Sequence, residues 1–347
     1  MDWTMDAMLG QLYEQAERNR SRTNGAFAAM EERRNILLHK LKQALGEFPA
    51  RNYPLHARVM DRTDYGEFIL ERVAYSTMES VQVPVWVLIP KGKEGPIPAV
   101  LACHGHGNGM RDAVGLDEEG REMDDSGIHN RFAVQLVRQG MIVIVPEIMG
   151  FGVRRLEKDR KANGNRNSCA ALSSQLLMYG RTLAGMRVYE ATRALDYLQS
   201  RTDVDAGKIG VFGFSGGGLI GAYASALDER VKATALCGWV NTFNGSILSM
   251  PHCIDNYLPG ILLEAEQPEL AGLIAPRALY VESGEHDPIF PVTHTKDAVA
   301  ALQKIYDEWE ASDRFGWDIH SGKHEISGRI SISWLYRRLT EQQTDRI

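Results

Sequence analysis

The spacing of apolar positions changes character along the chain. From Glu31 to Phe48, Ile36, Leu37, Leu41, Leu45 and Phe48 recur at near-helical spacing with Lys and Arg between them. That pattern predicts an amphipathic helix, ended by Pro49 and Pro54. Residues 1–50 read as helical, and residues 1–65 are expected to form a helical extension packed against a larger body. Glu67–Ser76 and Val81–Ile89 then alternate or cluster β-formers and predict two extended segments. Pro84 lacks a ladder donor, which places the second segment near a sheet edge.

From residue 97 the style changes again. Short runs that are apolar throughout, Ala99–Cys103, Met141–Val145, Ile209–Gly213, Val231–Leu236 and Ala278–Glu282, alternate with helical stretches at Arg131–Gln139, Gly185–Gln199, Leu219–Leu227 and Asp297–Trp309. Strands buried on both faces and separated by helices describe a parallel sheet covered on both sides. The expected fold class is therefore α/β: a mostly parallel, doubly wound sheet over residues 66–347, with antiparallel edge strands at its N-terminal side and the helical extension before them. Ligands of such sheets gather beyond the carboxyl ends of the strands, so chemistry is sought just after each apolar run.

The run Ile209–Phe212 leads into Gly213-Phe214-Ser215-Gly216-Gly217-Gly218 and then a helical pattern. This is G-x-S-x-G in the strand–turn–helix setting that a nucleophilic serine needs. Small residues two before and two after Ser215 avoid collision in a sharp turn, and the next N–H lies at a helix N-terminus, where negative charge is favoured. The glycines do not form a Walker loop, because no Lys follows them. A serine hydroxyl needs a base, and the base needs an orienting carboxylate. After the run Ala278–Glu282 comes Ser283-Gly284-Glu285-His286-Asp287, which offers Asp287 as the acid with Glu282 and Glu285 as competitors. Of the histidines beyond it, His294 opens a helical run and His320 ends the predicted strand Gly316–His320. His324 lies in a loop past that strand and is the expected base.

Two N–H donors are needed for the oxyanion. One is that of Gly216. The second is assigned to the N–H of His106 in His104-Gly105-His106-Gly107-Asn108-Gly109, with Gly105 and Gly107 as alternatives. In this reading His104 braces the loop or lines the pocket. About 40 residues separate the run ending at Leu236 from that starting at Ala278, long enough to predict a functional segment. Residues 241–275 are expected to act as a pocket wall or small lid, and Trp239, His252 and Tyr257 are candidate pocket residues. Arg154, Arg155 and Arg166 could attract an anionic substrate group, but a solvated charge run is the more common meaning of such a basic stretch. A competing reading pairs His104 and His106 as metal ligands of a metal-dependent hydrolase, and another makes the fold a non-catalytic binding protein.

Taken together, these motifs place the chain in α/β-hydrolase order. The segments Tyr179–Arg187, Ala194–Leu198, Asn256–Gly260 and Ala275–Arg277 resemble the dienelactone-hydrolase and acetyl-xylan-esterase side of that superfamily, over roughly residues 65–340. The resemblance implies an α/β-hydrolase fold and hydrolysis of a small, acetyl-like carboxylic ester through an acyl-enzyme, without a cofactor. A peptidase or C–C bond hydrolase would use the same triad. Two departures stand out. Dienelactone hydrolases proper use cysteine where this chain has Ser215, and relatives usually carry Asp where Glu147 stands.

Composition alters this picture little. A net charge of −6 argues against nucleic-acid binding. No stretch approaches the ~20 apolar residues of a membrane span. The start, Met1–Asp6, has neither a cationic region nor an apolar run, so a cytoplasmic location is expected. Cys103, Cys169, Cys237 and Cys253 form no closely spaced pair, which predicts four reduced thiols and no metal site. The expected partner is a small-molecule ester; the sequence leaves a homo-oligomer open.

Overall fold

The computed structural model describes residues 3–24, 29–117, 119–162 and 166–341. Residues 1–2 and 25–28 of the expected helical extension, and 342–347 of the expected catalytic body, lie outside the described residues.

Two helices, α1 (Asp6–Asn24) and α2 (Met30–Leu45), precede the sheet. Its strands are β1 (Arg58–Asp64), β2 (Phe68–Met78), β3 (Val81–Pro90), β4 (Ile97–Cys103), β5 (Ile142–Pro146), β6 (Val204–Phe214), β7 (Val231–Cys237), β8 (Ala278–Gly284) and β9 (Phe315–His320). Between β4 and β5 lie α3 (Met110–Val114) and α4 (Phe132–Arg138). Between β5 and β6 lie α5 (Glu157–Lys161), α6 (Cys169–Leu177) and α7 (Leu183–Ser200). Next come α8 (Gly216–Leu227) after β6, α9 (Gln267–Gly272) before β8, α10 (Val292–Glu308) after β8 and α11 (Ser331–Thr340) after β9.

The strands stand in the order β1-β2-β3-β5-β4-β6-β7-β8-β9. The pairs among β1, β2, β3 and β5 are antiparallel, and all later pairs are parallel. Alternate residues of one strand serve opposite faces. In β4 the side chains divide accordingly: Ala99, Leu101 and Cys103 join the core under α2, α7, α8 and α10, while Val100 and Ala102 join that under α3, α4 and α11. Leu37, Leu41 and Leu45 of α2 are buried in the first of these cores, so the amphipathic stripe read from the sequence is spent on the body itself.

Two expectations about the sheet are corrected. The helical extension ends before residue 65, because Arg58–Asp64 forms the edge strand β1, paired with β2. Nearly all of its residues are exposed, so no apolar alternation marks it, and its charges suit a sheet edge. The strand bearing Pro84 is internal, lying between β2 and β5. The Pro84 carbonyl accepts from the Glu147 N–H at 2.9 Å, so its nitrogen also faces β5. The ladder with β5 reaches only to Val85↔Pro146, and the missing donor falls just past its end.

Candidate active site

Strand β6 delivers Ser215 at the carboxyl edge of the sheet. Its backbone has φ 53° and ψ −122°, a strained conformation for a non-glycine residue. A Cβ on Gly213 would lie 2.4 Å from the Gly217 carbonyl oxygen, and one on Gly217 would lie 2.1 Å from that of Cys103. The turn is therefore closed to side chains two residues either way, as the spacing of the motif requires. Ser215 is 9% exposed.

Three side chains far apart in the chain form one hydrogen-bonded row here. His324 Nε2 lies 2.9 Å from Ser215 Oγ, and His324 Nδ1 lies 2.8 Å from Asp287 Oδ2. The other carboxylate oxygen, Asp287 Oδ1, accepts from the N–H groups of Ile289 (2.8 Å) and Phe290 (2.9 Å). The imidazole of His324 is held between the rings of Phe214 and Phe290, with centroids 5.1 and 5.6 Å away.

The rival acids and bases have other work. Glu282 is buried and accepts from the N–H groups of Ser327 and Gly328 and from Ser331 Oγ. It thereby ties the loop after His324 to the start of α11. Glu285 is exposed. His294 pairs with Asp297 at the start of α10. His320 is buried, and its Nδ1 accepts from the Gly322 N–H.

The loop after β4 is built on two histidines. His104 Nδ1 donates to the Gly105 carbonyl at 2.8 Å, and its Nε2 accepts from the Ile148 N–H at 3.2 Å. His104 thus braces the loop and has no nitrogen left for a metal, which removes the His104–His106 pair as a metal centre. His129 Nε2 accepts from the Gly105 N–H at 3.1 Å, so Gly105 drops out as an oxyanion donor. Burial, reinforced by the nearby His104, pushes the His129 imidazole down to about 4, which keeps it neutral and able to accept. The N–H groups of Gly216 and His106 donate to no protein acceptor among the described residues. The His106 ring stands close over Gly216: its nearest atoms are 3.4 Å from where a Cβ would project.

Residues 112–308 match the Dienelactone hydrolase family. The chain belongs to the dienelactone hydrolase family. It is a carboxylic ester hydrolase by family, since a lactone is an internal ester. It is 28% identical over 284 residues to "Putative hydrolase YtaP" of Bacillus subtilis (strain 168), covering 79% of this chain and 88% of that one. Its fold is similar to that of a putative acetyl xylan esterase from Bacteroides fragilis NCTC 9343, with TM-score 0.76, 16% identity and coverage of 89% and 87% of the two chains. It is also similar to a glucuronoyl esterase from Solibacter usitatus, with TM-score 0.66, 17% identity and coverage of 89% and 92%.

In this dienelactone hydrolase family member, Glu147 is a loop staple. Its carboxylate accepts from the Met110 and Val153 N–H groups, and its oxygens lie 2.0 Å from where a Cβ on Gly109 or Gly152 would stand. Both glycines have positive φ, and only glycine leaves room for the longer acid. Residues 241–275, expected as a pocket wall, reach the Gly216 turn, where Asp255 Oδ2 lies 4.0 Å from the place a Cβ on Gly216 would take. His252 donates from Nε2 to Ser246 Oγ (3.0 Å) and packs its ring on Phe290 at 5.2 Å. Trp239 corrects an expectation: it is 1% exposed and packs against Gly218 and Tyr223 beneath α8, so it supports the turn from inside the core. Tyr257, 40% exposed, bonds the Ile247 carbonyl and braces the wall itself. Arg154 is no anion receptor, because Glu190 binds it through two bonds of 2.6 Å. Arg155 donates to the Gly152 carbonyl, and Arg166 is exposed.

Sequence reasoning missed the buried ion pair of Arg187 and Asp255, whose side chains are 1% and 0% exposed. The one available signal was an Arg amid the apolar face of a helix, between Leu183 and Ala191. Arg187 also donates to the Met149 carbonyl and to Cys169 Sγ (3.1 Å), and lies over the Phe151 ring. Burial opposes its charge, and Asp255 with the neighbouring thiols more than offsets that. The Cys169 thiol is drawn down to about 7, first by its hydrogen bond with Cys253 and, against burial, by Arg187. Removing one partner of such a pair strands a buried charge, so Asp255→Ala should lose about 3–5 kcal/mol of stability. Urea denaturation checks this; a loss below 1 kcal/mol would show that the Met149 carbonyl alone satisfies Arg187.

Proposed function

We propose that the protein hydrolyses a small, acetyl-like carboxylic ester by covalent catalysis at Ser215. The observation that carries this reading is the row Ser215–His324–Asp287, which begins at a strained serine and ends on a buried carboxylate fixed by two backbone donors. His324 Nε2 takes the hydroxyl proton as Oγ attacks the ester carbonyl, and Asp287 holds the proton on Nδ1. The oxyanion is received by the N–H groups of Gly216 and His106. The alcohol leaves with the proton from His324, and water activated by the same imidazole releases the acid. The small-ester assignment draws support from the structural neighbours, an acetyl xylan esterase and a glucuronoyl esterase.

A panel of p-nitrophenyl esters, acetylated sugars and lactones tests the substrate class, and labelling of Ser215 by a fluorophosphonate tests the nucleophile. An inert, unlabelled wild-type protein would overturn the proposal. His106 serves through its backbone, so His106→Ala should cost far less kcat than Ser215→Ala: about tenfold or less, against the 10²–10³ of a lost oxyanion donor. Equal losses in the two variants would move the imidazole into the reaction.

A further inference from the structure

The proton row leaves unused a second cluster beside it. His106 comes from the loop after β4, Cys169 opens α6, and Cys253 lies in the wall that follows β7. Their donor atoms all lie within 4.8 Å of one another. We propose that His106, Cys169 and Cys253 bind a thiophilic divalent cation of the zinc type on the flank of the Gly216 turn.

Geometry comes first. Tetrahedral zinc, with Zn–S about 2.3 Å and Zn–N about 2.0–2.1 Å, spaces its donors about 3.5–3.8 Å apart. Donors within 4.8 Å of one another stand at most about 1 Å outside that spacing, a gap that metal binding has to close by side-chain rotation. Charge comes second. Two thiolates neutralise the dication, and the Arg187 guanidinium donating to Cys169 Sγ at 3.1 Å is an outer partner that favours the thiolate. Asp255 in turn balances Arg187, so the loaded site adds no net buried charge. Access comes third. Cys169 is buried, whereas His106 and Cys253 are partly exposed, so a cation reaches the site without unfolding.

On binding, two metal–sulfur bonds and one metal–nitrogen bond form, two thiol protons pass to solvent, and nothing is oxidised. Water fills the fourth position, as in other sites with three protein ligands. The bound cation joins the oxyanion loop to the wall through His106, whose ring stands over Gly216. Loading therefore slows ester hydrolysis. This consequence rests on the proposed ester reaction; the binding itself does not.

The test uses the full chain with thiols reduced by a phosphine, titrated with Co²⁺. One equivalent should give thiolate-to-cobalt charge-transfer absorption and the strong visible bands of four-coordinate cobalt, and Zn²⁺ should abolish both. Cys169→Ser and Cys253→Ser should each weaken binding by about 100-fold or more, at least the loss expected for an outer-shell change. Uptake without the charge-transfer band, or equal affinity in the double serine variant, would overturn the site. So would a reduced protein that takes up no cobalt but joins the two thiols as a disulfide on oxidation. The wild-type spectrum decides without any variant, and it decides even if no ester is cleaved. One equivalent of Zn²⁺ should lower wild-type hydrolysis by about tenfold or more, through disturbance of an oxyanion donor, and leave the double serine variant at its metal-free rate. Stoichiometric uptake with an unchanged wild-type rate would overturn the inhibition and keep the site.

Discussion

Ser215→Ala is expected to lower kcat/KM for the best ester of the panel by about 10⁴-fold or more, equivalent to roughly 5.4 kcal/mol of barrier. The methyl group cannot attack a carbonyl or release a proton to His324. What remains is binding and the N–H groups of Gly216 and His106, which alone give a residual acceleration over water. The variant should also lose fluorophosphonate labelling. Alanine inherits the same φ of 53° and fills less space, so the thermal midpoint should change little. That separates lost chemistry from lost fold. A variant keeping more than a few per cent of wild-type kcat/KM would show that another group attacks.

Asp287→Asn should reduce kcat by about 10⁴-fold, the scale reached when a triad imidazole is held in the wrong tautomer. The structure says why the amide would enforce that tautomer here. The Ile289 and Phe290 N–H groups both point at Asp287 Oδ1, so the amide oxygen of asparagine takes that place. Its NH₂ group then faces His324 Nδ1, which must accept instead of donate. The ring proton moves to Nε2, the nitrogen 2.9 Å from Ser215 Oγ, and the base is lost while the packing stays. Nitrogen-15 shifts of His324 report the tautomer directly. A loss under tenfold, with Nδ1 still protonated, would remove Asp287 from its assigned place. A matching change at Glu282 acts differently, because that carboxylate holds the loop through Ser327, Gly328 and Ser331 rather than the imidazole.

The parts of the site legible in the sequence share a cause: a short-range constraint that leaves a local pattern. Gly213 and Gly217 are required within two residues of Ser215 by backbone contact. Asp287 and His324 follow the ends of β8 and β9, so their places could be read from the predicted strands. Where the constraint comes from across the sheet, the local signal fails or misleads. Trp239, in a long aromatic-bearing segment, read as a pocket residue and is core. Arg154 read as part of a solvated charge run, with an anion receptor as the alternative, and is instead largely buried and neutralised by Glu190, 36 positions away. His129 left no signal, because its purpose is to accept one backbone N–H from a loop 24 residues earlier.

By itself the sequence determined the alternation of buried strands and covering helices, because burial on both faces must be written as unbroken apolar runs. It also determined the serine turn, because only small residues fit there. The tertiary structure decided which nitrogens and carboxylates have spare hydrogen-bonding capacity. It decided, too, that a histidine and two cysteines separated by 63 and 84 positions share one corner. Donor sets of that kind depend on loop paths across the sheet edge, and no spacing along the chain records those paths.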